Sequence, residues 1–461
     1  MKISRRPAAL LAASMLLVGV AVPAWLLAGS QGRLSSAVVP PTASSMPPLK
    51  CRDDLATRAQ VMGLTGIAAE IGVRDGLFAK HNLAAWSGEK YYMVDAWSFR
   101  PPDIEVGLSD ATRDDMNEPQ ESPHIARMEQ ARANTDHWSS RREMVREFST
   151  VASLQFPNIH FDWVYVDALH TYEAVTRDLE AWYPLVKPGG LISGDDFVDA
   201  SDAKMLEWNG NVPEHFSWGT RRAVTDFFRS VGVAIHVTYV YDCYMFPAWY
   251  ALKPTAQEPG PNQVRLSKTK THPLRCREEL PALARELGLE GASAQIGDTS
   301  APLISTRLSP AVAETPGIVE EEDERKSRFR ASAVGRPRDG ADSKAHLWGW
   351  LHLSSQGDHN TRAGVLVQLE YWWPRLRSGG MISGDDFVSG RDSRWTETSQ
   401  PPPHLFVSLG WFKTAASRKL TPAHWDVEGA VNEFFAQRGV EVFVSYALYC
   451  HPYPSWYALK P

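Results

Sequence analysis

Two apolar segments that each end in acid constrain the fold of this chain more than any other feature. The first, Phe161–Val166, is followed by Asp167 and, three residues later, by His170. The second, 190–193, leads into the pair Asp195–Asp196, and a helical segment separates the two. Ligands of an open α/β sheet bind at the carboxyl ends of its strands. Three carboxylates and an imidazole gathered there would make a site for a hard cation with a proton acceptor beside it.

Alternating strands and helices predict a parallel, doubly wound α/β sheet over residues 51–254. The helix after His170 places four apolar residues on one face: Val175, Leu179, Trp182 and Leu185. We expect a closing hairpin from 233–240 and 249–252. We also expect a helix over Arg142–Ser153. The stretch Arg100–His137 is polar and shows little periodicity, so we expect it to contain a long surface loop.

A glycine turn lies upstream of these strands. Ile67–Ile71 predicts a short buried strand that contains Glu70, and Gly72 and Gly76 follow before a helix. The next strand ends at Asp95. This order is typical of a nucleotide-type cofactor site, in which backbone approaches the ligand at the glycines and the carboxylate accepts from ribose hydroxyls. The spacing differs from the dinucleotide fingerprint, because Glu-x-Gly-x-x-x-Gly replaces Gly-x-Gly-x-x-Gly.

Together these motifs resemble the class I S-adenosylmethionine-dependent methyltransferases, and within them the macrocin-type sugar O-methyltransferase branch. The similarity lies in the glycine turn, in Val94-Asp95, in Asp167-x-x-His170-x-Tyr-Glu, and in Lys187-Pro-Gly-Gly before the paired aspartates. It implies that Gly72 and Gly76 border the methionine part of the cofactor and that Asp95 holds its ribose.

The same resemblance implies a divalent cation, Mg²⁺ by its ligand preference, on Asp167, Asp195 and Asp196. His170 would accept the proton of an acceptor hydroxyl, in a place where the related catechol enzymes have lysine. The alternative is that the three aspartates are helix N-caps and His170 a surface residue. Capping requires one acid per helix and gives no reason for the pair Asp195–Asp196.

The N-terminal segment predicts a membrane anchor, residues 1–29, followed by a flexible stem over 30–50. Three basic residues precede an apolar run from about Ala8 to Gly29, which is long enough to span a bilayer. A cleaved signal peptide is the alternative. The first reading predicts a single-pass protein whose catalytic part faces a secretory-pathway lumen (Golgi or endoplasmic reticulum) or another extracytoplasmic space. The second predicts secretion.

The chain also repeats itself. Residues 182–198 recur at 372–388, Cys51-Arg-acid-acid-Leu recurs at Cys276, and Trp249-Tyr-Ala-Leu-Lys-Pro recurs as the last six residues. The offsets are 190, 225 and 207 residues. We therefore expect a linker at 255–275 and a second, degenerate methyltransferase-like copy at 276–461.

The second copy lacks the cofactor motif. Gln295 replaces Glu70, Gly297 matches Gly72, and Ala301 replaces Gly76, while the acid that precedes the surviving Asp385–Asp386 becomes Gln356 or Gly357, with Asp358-His359 as shifted remnants. Residues 305–344 are polar and are expected to be disordered. A gene model lacking exons would give the same sequence.

The four cysteines are two copies of one pair, which predicts the disulfides Cys51–Cys243 and Cys276–Cys450. Four buried free thiols are the alternative.

Two functions remain open at this stage. The first is an O-methyltransferase that acts on a sugar or similar small acceptor. The second is a non-catalytic module that binds carbohydrate or protein on a degenerate methyltransferase scaffold. The net charge of −6 and the lack of a basic stripe argue against nucleic acid as a partner. The sequence does not indicate the oligomeric state.

Overall fold

The computed structural model describes residues 47–99, 120–202, 218–239, 246–255, 266, 269, 273–289, 293–297, 331–334, 348–354, 360–390, 424–446 and 453–461. The chain folds around two sheets. Residues 47–255, here called the first half, build a seven-stranded sheet, and residues 273–461, the second half, build a six-stranded sheet.

The first sheet has the strand order β3-β2-β1-β4-β5-β7-β6. Neighbours from β3 to β5 are parallel, whereas β7 runs antiparallel to both β5 and β6. The predicted doubly wound sheet with a reversed closing hairpin is confirmed. The strands are β1 Ile67–Ile71, β2 Lys90–Asp95, β3 Arg142–Arg146, β4 Phe161–Val166, β5 Val186–Gly194, β6 His236–Val237 and β7 Trp249–Leu252.

Helices cover both faces of this sheet. One face packs on α5 and α6 through a cluster that includes Val164, Ile192 and Phe228, and the other packs on α1, α2 and α3 through Trp163 and Leu191. Alternate residues of each strand thus enter opposite cores, as expected for a parallel sheet buried on both sides. The helices are α1 Asp54–Val61, α2 Leu77–Ala85, α3 Glu121–Asn134, α4 Ser149–Ser153, α5 Tyr172–Trp182 and α6 Thr220–Val231.

The predicted apolar face of α5 is confirmed, since all four of its residues are buried. Thr171 caps this helix by accepting a hydrogen bond from the Ala174 amide. One local prediction is wrong. Residues 142–146 form β3 beside β2, so only the end of the predicted helix Arg142–Ser153 is helical, because pairing with a buried neighbour overrides weak helix propensity. The polar stretch Arg100–His137 contains α3, and residues 100–119 lie outside the described residues, so the surface loop expected within the stretch stays a prediction.

The second sheet repeats the centre of the first. Its order is β12-β13-β11-β10-β8-β9, with β8, β10 and β11 parallel and β13 reversed. At the edge where the first sheet has parallel β2, β9 pairs antiparallel with β8. The elements are α7 Leu280–Glu286, β8 Ser293–Gly297, β9 Ala331–Val334, β10 Trp348–Ser354, α8 Arg362–Trp372, β11 Leu376–Gly384, α9 Val427–Ala436, β12 Val442–Val444 and β13 Trp456–Leu459.

Strand register aligns the two halves residue by residue. Trp163 pairs with Leu191 in the first sheet, as Trp350 pairs with Met381 in the second. Counting along β10 places His352 at the position of Tyr165 and Ser354 at the position of Asp167. The expected remnants at 356–359 follow the end of β10 and lie outside the described residues, so their relation to Asp167 stays a prediction. Gln295 pairs with His352 as Glu70 pairs with Tyr165, which agrees with the sequence alignment of those residues.

Several predictions fall outside the described residues. The N-terminal anchor and most of the stem are among them, and of 305–344 only β9 is described. Within the described ranges, no helix is both long and apolar enough to cross a membrane. Neither Cys51 nor Cys276 is a free thiol. Their expected partners, Cys243 and Cys450, are not described, so the pairing stays a prediction.

Candidate functional site

The carboxyl ends of β1, β4 and β5 are adjacent, and the candidate residues follow these strands. Gly72 directly follows β1, Asp167 follows β4, and Asp195–Asp196 follow β5. β1 pairs with β4, and β4 pairs with β5, so all three ends lie at one edge of the sheet. The parallel order therefore places the glycine turn beside the acids, as the sequence predicts.

Position 72 requires glycine because the backbone of Asp167 lies very close to it. Its φ is +88°, and a Cβ there would lie 1.9 Å from the carbonyl oxygen of Asp167. Any side chain would push the turn away from the end of β4. Gly76, with φ +75°, precedes α2, and a Cβ there would lie 2.9 Å from Cα of Ala131 on α3. At both positions the packing around the turn therefore requires glycine, whether or not a ligand is bound.

Asp95 holds the glycine turn in shape. Its carboxylate accepts hydrogen bonds from the amides of Val73 (2.9 Å), Arg74 (2.8 Å) and Trp97 (2.8 Å). Burial raises its pKa, and the three amide hydrogen bonds oppose that rise. A carboxylate has about four acceptor sites. Three are used, so one remains for a ligand hydroxyl.

Glu70 lies in a buried network below the turn. Its side chain is 1% exposed and accepts a 2.7 Å hydrogen bond from the Tyr91 hydroxyl, which itself accepts from Asn82 on α2. Burial raises the pKa of Glu70 to about 8, although the Tyr91 hydrogen bond lowers it. The structure brings Glu70 to Tyr91, whereas the sequence predicts it as a cofactor contact.

His170 lies between two of the predicted metal ligands. Its Nε2 atom is 3.3 Å from Oδ1 of Asp167 and 3.1 Å from Oδ2 of Asp196. The three side chains offer ligand atoms that all lie within 4.8 Å of one another, a spacing that could hold a metal ion. The indole of Trp218 stacks on the imidazole at 4.4 Å and fixes the plane of the ring.

Asp195 contacts Arg52 rather than His170. Its carboxylate is 1% exposed and pairs with the guanidinium of Arg52, which also lies 4.0 Å from Asp167 and 4.8 Å from the ring of Phe78. The predicted metal set of three aspartates is thus divided: Asp167 and Asp196 face His170, and Asp195 faces Arg52. Sequence reasoning did not identify Arg52, although the Cys-Arg step occurs in both copies.

The acids are buried and incompletely bonded. Among the described residues, Oδ1 of Asp195 and Oδ1 of Asp196 have no hydrogen-bond partner. Burial and the neighbouring acids raise the pKa of Asp195 well above its usual value. Burial raises the pKa of Asp196 to about 6, and His170 opposes the rise. Asp196 also has φ +51°, a left-handed conformation that costs energy for a side chain other than glycine.

The equivalent acids of the second half are satisfied by built-in partners. Asp385 accepts hydrogen bonds from Arg277 (3.2 Å) and Ser455 (2.9 Å) and lies 3.2 Å from Nε2 of His352. Burial alone would raise the pKa of Asp385, but these three partners outweigh burial and hold it below its usual value. Asn360 donates a 3.0 Å hydrogen bond to Asp386. The second half thus also contains an Arg–Asp pair, Arg277–Asp385, after its strand β11.

The comparisons with known proteins identify a methyltransferase domain within the first half. Residues 69–197 match a family model described as a methyltransferase domain, and all eight candidate site residues lie within the match. The match supports an S-adenosylmethionine-dependent methyltransferase in the first half and covers less than half of the chain. No curated protein matches this sequence.

Three solved structures illustrate the structural similarity. An O-methyltransferase from Bacillus cereus in complex with SAH is 18% identical, over 44% of this chain and 80% of its own, with a TM-score of 0.28. A Corynebacterium glutamicum protein is 13% identical, over 45% and 83%, with a TM-score of 0.29. A spermidine synthase from Thermotoga maritima is 14% identical, over 44% and 58%, with a TM-score of 0.28. With scores this low, the function must be argued from the residues of the chain itself.

Proposed function

We propose that the first half is an S-adenosylmethionine-dependent, metal-assisted O-methyltransferase that acts on a hydroxyl of a sugar or similar small acceptor. One observation supports this most directly. Asp167, His170 and Asp196 converge beside the glycine turn, at the strand edge where open α/β sheets bind ligands. The second half keeps the strand order and lacks this convergence among its described residues.

The cofactor would lie along the edge formed by the turn after β1. Gly72 lets the backbone of the turn approach the end of β4, and Asp95 has about one acceptor site left for a ribose hydroxyl. Glu70 is proposed to act indirectly, through the buried hydrogen bond that anchors Tyr91 below the turn.

The residues fit a divalent cation on Asp167 and Asp196. A buried carboxylate oxygen without a partner, on Asp196, is what a small oxygen-seeking cation would satisfy. When bound, such a cation would lower the pKa of an acceptor hydroxyl. Asp195 is proposed as a structural acid, because the guanidinium of Arg52 already neutralises it.

His170 is proposed as the proton acceptor. Its Nε2 atom lies within 3.3 Å of the carboxylates of Asp167 and Asp196, so it is directed at the place where the acceptor hydroxyl would be held. Trp218 holds the ring in plane, so that Nε2 stays directed at the acids. Alternatively, His170 is itself a ligand of the cation, as the mutual distances of the three side chains allow.

The acceptor, the location and the partners are proposals that rest on the sequence. A sugar hydroxyl follows from the resemblance to the macrocin-type branch. A single-pass protein with its catalytic part in a lumen, or a secreted protein, follows from the apolar N-terminal segment. A non-catalytic binding module is the competing function, and it predicts no transfer of a methyl group from S-adenosylmethionine.

The test is calorimetric titration of the whole chain with S-adenosylmethionine, followed by detection of methylated product with a panel of sugars and polyols. Gly72→Ala should weaken cofactor binding, because its Cβ would meet the Asp167 carbonyl oxygen at 1.9 Å. Gly63→Ala is the matched control. It has φ +73° and nothing within 4 Å of a Cβ, so it carries the same backbone strain without the contact. Equal loss in both variants, or no binding by the wild-type chain, would contradict the proposal.

A further inference from the structure

The two halves contact each other through a reciprocal pair of aromatic contacts. Phe197 of the first half packs edge-on against Tyr446 of the second, with ring centroids 5.5 Å apart and planes at 80°. Tyr239 of the first half packs against Phe387 of the second at 5.5 Å and 76°. All four side chains are buried. Tyr446 belongs to the core cluster of the first half, and Tyr239 to that of the second.

These contacts join equivalent residues. Phe197 and Phe387 are separated by 190 residues, and Tyr239 and Tyr446 by 207, which are the offsets of the sequence repeats. His236 stacks on Phe443, its own equivalent, at 4.8 Å with nearly parallel planes. In such an interface the same two positions contact each other in both directions, and one position contacts its own equivalent. This arrangement is called isologous and is typical of a twofold dimer. The halves are therefore arranged like the two subunits of a twofold dimer within one chain.

The basic residue before each of the two repeated cysteines also pairs with the opposite half. Arg275, next to Cys276 of the second half, lies 3.2 Å from Oδ1 of Asp202 in the first half. Lys50, next to Cys51 of the first half, lies 2.8 Å from Glu428 in the second. Lys50 and Arg275 are equivalent residues, whereas their acidic partners occupy different positions in the two halves. The side chains of Asp202, Lys50 and Glu428 are largely shielded from solvent, and that of Arg275 is 37% exposed.

Two of the contacts from the second half fall on one segment, Asp195–Asp202, which begins with the acids of the candidate site. Tyr446 covers Phe197, the residue directly after Asp196, and Arg275 reaches Asp202 at the other end. Within the segment, the Phe197 amide donates a 2.7 Å hydrogen bond to the Pro247 carbonyl. Asp196 has a positive φ, so its conformation depends on what its neighbours impose.

We propose that the second half serves as a built-in partner subunit that holds Asp195–Asp202 in place, with Tyr446 as a positioning residue for the Asp196 carboxylate. This agrees with the buried aromatic contacts that the second half makes to the first. This role requires that the second half keep the surface that contacts the first half. It does not require a second catalytic site.

Hydrogen exchange of the whole chain tests the proposal through two matched amides. The amides of Phe197 and Phe387 donate equivalent hydrogen bonds, to the carbonyls of Pro247 and Pro454. Tyr446→Ala should speed exchange about tenfold or more around Phe197 and leave Phe387 near the wild-type rate. Tyr239→Ala removes an equivalent ring and should give the reverse pattern. Tyr446→Phe keeps the ring and should restore protection at Phe197. Equal acceleration at both amides in each variant, or no change in either, would overturn the proposal.

A second pair of variants covers the case in which an alanine variant does not fold. Arg275→Gln removes the contact to Asp202 with little change in packing, and Lys50→Gln removes its counterpart to Glu428. Arg275→Gln should speed exchange within 199–202 only, and acceleration by Lys50→Gln at that segment would contradict the proposal. The role of Asp196 at a cation site rests on the proposed function. Failure of that function would appear separately, as absent cofactor binding in a wild-type chain that still shows the crossed exchange pattern.

Discussion

His170 Nε2 lies 3.1 Å from Oδ2 of Asp196. In the second half, the amide of Asn360 donates a 3.0 Å hydrogen bond to Oδ2 of Asp386, from the equivalent position. The chain thus contains the same contact twice, once through an imidazole, which can accept a proton, and once through a side-chain amide, which cannot. Asparagine can replace the structural part of this contact and cannot accept a proton from a hydroxyl.

The variant His170→Asn should therefore separate structure from chemistry. We expect its side chain to donate a hydrogen bond to Asp196, as Asn360 does to Asp386, and we expect an unchanged melting temperature and affinity for S-adenosylmethionine. Its rate of methyl transfer should fall by about 10²–10⁴, the usual contribution of a positioned base. Measuring Mn²⁺ affinity in the same variant distinguishes the two roles. Unchanged affinity fits a proton acceptor, whereas loss of affinity fits a metal ligand, and full activity would exclude both.

Activity should depend on a divalent cation. Excess EDTA should abolish turnover, and Asp167→Asn should lower it about a hundredfold or more, because both would deplete the proposed cation, which would lower the pKa of the acceptor hydroxyl. Asp386→Asn is the matched control, since it changes the equivalent of Asp196 in the second half. It should leave turnover within about twofold. Full turnover in EDTA would refute the metal assignment without affecting the assignment of the cofactor.

The pair of Arg52 and Asp195 should matter for stability more than for cation binding. Arg52→Gln leaves a carboxylate that is 1% exposed without its partner, a change that costs about 3 kcal/mol for buried pairs. Arg277→Gln should cost less, because His352 remains 3.2 Å from Asp385. Urea denaturation of both variants measures the difference. If Arg52→Gln unfolds at the wild-type midpoint, Asp195 is not held by this pair.

Much of the first half follows from its sequence because local pattern and burial agree there. The apolar runs of β1, β4 and β5 and the apolar face of α5 each enter a core, and the acids lie where parallel strands end. The parallel order alone brings Gly72 and Asp167 into contact. The local sequence pattern is sufficient to predict contacts that follow directly from the order of parallel strands.

The sequence pattern does not indicate that Asp195 pairs with Arg52 while Asp196 faces His170. Arg52 reaches Asp195 across 143 residues, and Trp218 reaches His170 from a separate segment. Such contacts depend on tertiary packing and leave no periodic signal. The strand β3 was missed for a related reason: its residues are only half-buried or exposed, so they lack the apolar run of a central strand.

Glu70 should make stability depend on pH. Its pKa in the folded chain is about 8, against 4.5 for the free side chain, mainly because of burial. Between these values the folded state binds more protons than the unfolded state, so the free energy of unfolding should fall as pH rises from about 4.5 to about 8. Glu70→Gln should remove up to about 4 kcal/mol of that decline. Denaturation at pH 5 and pH 8 tests this, and an unchanged slope would contradict it.

Cofactor should bind with a stoichiometry of one per chain. The first half has the turn with Gly72 and the acid Asp95, whereas the sheet of the second half has antiparallel β9 at the edge where β2 carries that acid. Asp95→Asn should weaken binding of S-adenosylmethionine about tenfold or more, because a neutral amide accepts hydrogen bonds from the turn and the ribose less strongly. Gly297→Ala alters the second-half equivalent of Gly72 and should change neither affinity nor stoichiometry. Calorimetry that gives two sites, or one site that responds to Gly297→Ala, would show that the second half binds cofactor.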